Sequence, residues 1–264
     1  MRLLEKLTKC KGEEEMKRFL GTILVFSFCL SLSLGQDSRL VYQYRIWHPK
    51  PMQGQQMEDA MAKKTKKYNV GNENYPIFSY RVITGKDQGA VIRFSTHTFA
   101  DRDKYPLRKA EIEYWQKNVI PYVDMSKDEG TLLWVQMDNH AYNGSGNTGS
   151  TRYSEVTQYL VHPAKLGEWR ELRTQLVEAH KKAGSKARFG HFRRFSGGKT
   201  HLIHMTVPFD SWADYENLVP IFSREIFENA HGEGSQKEWM DRVADILEYR
   251  KTYIREYLPD LSTG

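Results

Sequence analysis

Five side chains in this sequence have the types and spacing to do chemistry together: Gln43, Arg93, Gln158, His191 and His204. A guanidinium can hold an anion, an imidazole can carry a proton near neutral pH, and carboxamides can orient a polar ligand. Alternation along a strand sorts them by face. In Val91–Ser95, Ile92 and Phe94 share one side, and Arg93 and Ser95 share the other. In Leu202–Met205, His204 lies opposite Ile203 and Met205. Arg93 and His204 are 111 residues apart and match between two halves of the chain, as do Gln43 and Gln158. With the apolar sides under helices, these groups would face a space between two sheets and line a ligand cavity. The bland alternative is a satisfied hydrogen-bond network between the sheets.

Other candidates are weaker. His201 and His204 have opposite strand parity and cannot readily chelate one ion, so no metal site is expected. His48-Pro49 and His162-Pro163 read as strand exits, and Trp115, Trp169, Trp212 and Trp239 fall on helix stripes as core. The Gly-x-Ser-x-Gly and His-Glu-x-x-His patterns are absent. Ser196-Gly-Gly-Lys199 lies between two strands, where a turn accounts for it.

The elements that must position these residues come in two similar sets. VYQYRIWHP around Gln43 is echoed by VTQYLVHP around Gln158, and Tyr75–Ser95 by Ala187–Thr206. Each set reads strand, helix, strand, strand, helix, strand. The first has strands at Leu40–Trp47, Ile77–Ile83, Gly89–Thr96 and Thr131–Met137, with helices at Gln53–Tyr68 and Tyr105–Tyr122. The second has strands at Glu155–Val161, Arg188–Phe195, Thr200–Val207 and Thr252–Leu258. A helix carrying Trp169, Leu172 and Leu176 follows its first strand, and a broken helical region spans Ser211–Leu247. Ser235 and Glu238 stand at capping-box spacing in its last segment. Domain boundaries follow: a leader at 1–35, a first repeat at 36–138, a Gly/Asn/Ser-rich linker at 139–153 and a second repeat at 154–264.

This order is the split β-α-β, ferredoxin-like pattern of an α+β protein, whose four-stranded sheet has helices on one face and a bare second face. The chain resembles the dimeric α/β-barrel superfamily in a fused form, over about Leu40–Leu258, on the element order, the paired Gln-Tyr strands and the hairpin echoes. The resemblance implies two tandem repeats packed sheet to sheet as a pseudo-dimeric barrel. It admits three functions: a small-ligand binder, a monooxygenase-like or haem-dependent enzyme, or a non-catalytic interaction module. Haem would need one axial histidine, His191 or His204.

Composition bounds the rest. Phe19–Leu34 is an uncharged run of 16 residues after Lys17-Arg18, shorter than a membrane span and suited to a signal peptide cleaved before Gln36. Met16 offers an alternative start. Residues 1–35 hold six basic and four acidic residues and both cysteines, leaving 33 Lys+Arg against 29 Asp+Glu and no thiol. The expectation is an exported protein, periplasmic or extracellular, without stable membrane insertion, monomeric or homodimeric. Its basic residues are interspersed with acids, which speaks against nucleic-acid binding.

Overall fold

The computed structural model describes residues 40–71, 75–104, 108–143 and 151–263. The signal-like run and the middle of the linker lie outside the described residues.

The described chain forms one compact unit built on eight antiparallel strands. They are β1 (Leu40–Trp47), β2 (Ile77–Val82), β3 (Val91–Thr98), β4 (Leu132–Gln136), β5 (Tyr153–Val161), β6 (Gly190–Ser196), β7 (Leu202–Phe209) and β8 (Leu247–Tyr257). Around the barrel the order is β1-β3-β2-β8-β5-β7-β6-β4, and β4 pairs back to β1 to close the ring. Two arcs, β4-β1-β3-β2 and β8-β5-β7-β6, are thus joined edge to edge by the β2–β8 and β4–β6 pairs. The expected barrel is present as a single closed wall, in which each of the eight described strands is paired on both sides.

Helices cover the outside of the wall. Over the first arc lie α1 (Gly54–Tyr68), the short α2 (Phe99–Asp103) and α3 (Lys109–Asn118). Met57, Ala60, Met61, Lys64 and Thr65 form the buried stripe of α1 at helical spacing. Over the second arc lie α4 (Leu166–Ala183), α5 (Trp212–Glu216), α6 (Arg224–His231) and α7 (Ser235–Asp245). Trp169, Leu172 and Leu176 seal α4 against β5 and β7, and Gly184 stops it with φ +58°, a conformation that suits glycine at a helix end.

Several boundaries move for physical reasons. The helix expected over Tyr105–Tyr122 spans only Lys109–Asn118, and Pro121 lies in a following 3-10 turn, Ile120–Tyr122. The last strand starts at Leu247 rather than Thr252, because β5 pairs with it along its whole length. Ser235 does not cap its helix; Gly234 stands at the cap and the Ser235 hydroxyl donates to the Gly232 carbonyl at 2.6 Å. The linker is partly structured, since Tyr142 bridges to Phe189 and Tyr153 already belongs to β5. Trp169 and Trp239 are core, whereas Trp212 is 50% exposed.

Candidate functional site

The space inside the barrel is filled. Tyr44 stacks on Phe94 with ring centroids 4.5 Å apart and planes 5° from parallel, and Tyr80 stacks on the same ring at 6.0 Å. Arg255 is buried with its guanidinium 4.3 Å from the Tyr80 ring centroid, and His204 packs on Trp134 at 3.8 Å. Gln158 and His204 face each other in the β5–β7 register within this interior.

The other three nominated residues do not join them, which corrects the expected cavity between sheets. Arg93 points outward, donating to Thr65 Oγ1 at 2.8 Å, to Asn69 Oδ1 at 3.2 Å and to the Leu261 carbonyl at 3.2 Å. Gln43 also points outward and accepts from Arg102 at 3.0 Å. His191 is buried outside the second arc, its Nδ1 2.7 Å from the His140 carbonyl. The error is one of register. Aligning the halves on Gln-Tyr shifts one strand by a residue relative to the His-Pro exits, and a one-residue shift exchanges the faces. In the observed pairing Tyr44 stands opposite Phe94 and Gln158 opposite His204, so His204 corresponds to Phe94 and not to Arg93.

An open cavity of about 840 Å³ lies instead on the outside of the first arc, between the outward face of β1 and β3 and the helices α1 and α3. Trp47 and Trp115, 4.8 Å apart between ring centroids, supply aromatic wall, with Ile112 and Ile120. The polar lining is strongly one-sided. Arg45, Lys64, Arg93, Arg102 and Arg108 line it against a single carboxylate, Glu111, among the described lining residues. Arg45 is paired with Asp128 at 2.5 Å. Arg108 donates to the Tyr68 carbonyl at 2.6 Å and lies 3.9 Å from Glu111. Arg102 has no carboxylate within 4.0 Å among the described residues.

Lys64 is the reactive-looking group. Its ammonium is buried, bonded to Glu111 and to Asn69 Oδ1 at 2.8 Å, and stands 5.6 Å from the Trp115 ring centroid. Burial, then the neighbouring Arg93 charge, lowers its pKa to about 8 despite the Glu111 bond. A buried amine lowered toward neutrality inside an open cavity is a candidate base. His97, two strand positions beyond Ser95, shares this lining, and both ring nitrogens lack partners among the described residues. Burial holds it below the ordinary histidine value, so it is a neutral imidazole.

Sequence reasoning passed over Lys64 because it sits in Lys63-Lys64-Thr65-Lys66-Lys67, which looks like a solvated face. The signal was present: Met57, Met61 and Lys64 keep the 3.6-residue stripe, which places this lysine of the run inward.

The two histidines named for haem do not fit that role. His191 is packed against Trp169 and Phe189, and His204 against Trp134; neither lines the open cavity. Among the described residues no cluster of three His, Cys, Asp or Glu could hold a metal ion, and no helix is long and apolar enough to cross a membrane.

No family model and no curated protein matches this chain. Solved structures do match. A protein described as a candidate monooxygenase from Lactobacillus acidophilus aligns with a TM-score of 0.55 at 6% identity, covering 86% of this chain and 97% of its own. A protein with the same description from Fusobacterium nucleatum gives 0.57 at 11%, covering 84% and 94%. A chlorite dismutase from Candidatus Nitrospira defluvii gives 0.51 at 11%, covering 85% and 93%. At these identities the likeness shows the fold, an α+β protein built on a closed eight-stranded barrel, and no activity.

Proposed function

We propose that this protein binds an anionic small molecule with a flat apolar body, in the cavity between the first arc and helices α1 and α3. The observation that carries the reading is the lining itself: five basic side chains against one carboxylate, beside the Trp47–Trp115 pair, around about 840 Å³. A cavity of this size suits a small metabolite; Lys64 and Arg93 are buried in its wall, where low dielectric strengthens their pull on a negative headgroup, whereas Arg102 is exposed. Arg102, free of carboxylates among the described residues and held by Gln43, would take that headgroup. The two arcs are read as diverged copies of one split β-α-β unit, of which the first carries the cavity of about 840 Å³. A ring closed within one chain favours a monomer. Export rests on the run Phe19–Leu34.

The test is a panel of aromatic and aliphatic carboxylates with their neutral methyl esters, followed by calorimetry and by NMR. Acids are expected to bind at least about tenfold more tightly than the esters, a difference of about 1.4 kcal/mol. Arg102→Ala is expected to remove most of that preference. Esters that bind as well as acids, or shifts confined to Trp134 and Phe192 inside the barrel, would overturn the reading.

A second reading, a cofactor-independent oxygenase, is favoured by one observation: the lowered, buried Lys64 amine facing that cavity. Neutral Lys64 would take an acidic proton from a bound phenol or activated carbon, with Glu111 and Asn69 fixing its Nζ, leaving an electron-rich carbanion or phenolate open to oxygen. The names of the Lactobacillus and Fusobacterium proteins are compatible with it. Oxygen uptake with anionic phenols that survives Lys64→Gln would exclude this role for Lys64.

A further inference from the structure

Beneath α4, outside the second arc, lies a polar cluster that the cavity does not involve. Arg173 is wholly buried on the stripe that carries Trp169, Leu172 and Leu176. Its guanidinium carbon stands 3.9 Å from the Trp169 ring centroid and 5.0 Å from those of Tyr159 and Trp239. Among the described residues no carboxylate lies within 4.0 Å, and none of its three nitrogens has a well-formed hydrogen bond. The Tyr159 hydroxyl is close enough to ease the charge, yet it is turned toward Met205 Sδ at 4.0 Å.

Two imidazoles share this surrounding. His191 Nδ1 must carry a proton to donate to the His140 carbonyl, which leaves Nε2 as a bare lone pair in the neutral ring. That Nε2, and His140 Nδ1, also lack partners among the described residues. Arg173 is the charge bearing most strongly on both rings, with Arg170 a lesser influence on His140. No carboxylate figures among the groups acting on either ring. Aromatic faces return about 2 kcal/mol to a desolvated cation, short of the several kcal/mol that burying it costs. Five unpartnered buried nitrogens gathered around one cation are rare in a native core, where such atoms nearly always have partners.

We propose that Arg173, His191 and His140 form a binding site for one small monovalent anion, taken up together with a proton. Arg173 supplies donors and the neutralising charge. The proton resolves the mismatch at His191 Nε2. It resides on that nitrogen, which then donates to the bound anion, a halide being the simplest case. Burial pushes both histidines down, His140 to about 4, so the empty site holds neutral rings. Anion affinity therefore rises as pH falls.

The experiment follows thermal unfolding of the full chain against chloride or bromide, with gluconate holding ionic strength constant, at about pH 6 and about pH 8. A saturable rise in Tm is expected for the small anions, tighter at the lower pH, with a bromide anomalous peak beside Arg173. Arg173→Met is expected to fold at least as stably in gluconate, having lost an uncompensated cation, and to lose the response. If that variant does not fold, His191→Phe keeps Arg173 and should lose the pH dependence. A general salt effect equal in gluconate, an unchanged response in Arg173→Met or His191→Phe, or bromide only elsewhere would each overturn the proposal.

Discussion

Arg93 and His204 lie on opposite faces of one barrel wall: Arg93 reaches outward to Thr65 at 2.8 Å, and His204 packs inward on Trp134 at 3.8 Å between ring centroids. This division separates the molecule into a filled interior and two helix-covered outer layers. The open cavity lies in the outer layer of the first arc, and the buried Arg173 cluster in that of the second.

The filled interior has a measurable consequence. Phe94 is 1% exposed and stacks with Tyr44, Phe78 and Tyr80. Phe94→Ala should cost about 3–5 kcal/mol in urea unfolding, because three surrounding rings cannot all collapse into the space. A loss under about 1 kcal/mol would mean that the barrel interior is loosely packed.

Lys64 should leave its mark on the pH dependence of stability. Its folded pKa of about 8 lies below the ordinary lysine value of 10.5, so between those values the unfolded chain binds the extra proton. Stability contributed through this residue therefore rises with pH across that window, and below about 8 the buried charge is a standing cost. Wild type should gain on Lys64→Gln as pH increases from 8 to 10.5, read from paired urea titrations. Parallel curves would show that Lys64 titrates normally.

The β6–β7 turn is fixed by a close approach. A Cβ on Gly197 would stand 2.6 Å from the Thr131 carbonyl oxygen, at φ +86°. Gly184, at φ +58°, has nothing within 4 Å of such an atom. Gly184→Ala should cost about 1 kcal/mol from backbone strain alone, and Gly197→Ala clearly more, about 2–4 kcal/mol. Equal costs at the two positions would remove the steric contact as the cause.

Much of the fold could be read along the chain. Alternation gave β1 from Leu40 to Trp47, and the stripe of Trp169, Leu172 and Leu176 gave α4, because these periods are local and both elements bury one face. The site was less legible. Parity correctly split Arg93 from Ile92 and Phe94, but parity alone does not say which side is the interior when both sides of the wall are buried. Phe94 and Ile92 pack inside the ring, whereas Val91 and Arg93 pack under helices. Lys64 was hidden in a lysine run whose members differ only by helical phase.

By itself the sequence determined most of the elements and their order, since hydrophobic period and turn residues act over a few neighbours. Only the tertiary structure decided that the two arcs close edge to edge, that aromatic rings fill the space between them, and that the cavity opens outside the wall. Those outcomes depend on register between strands distant in sequence, where one residue of slip exchanges inside for outside.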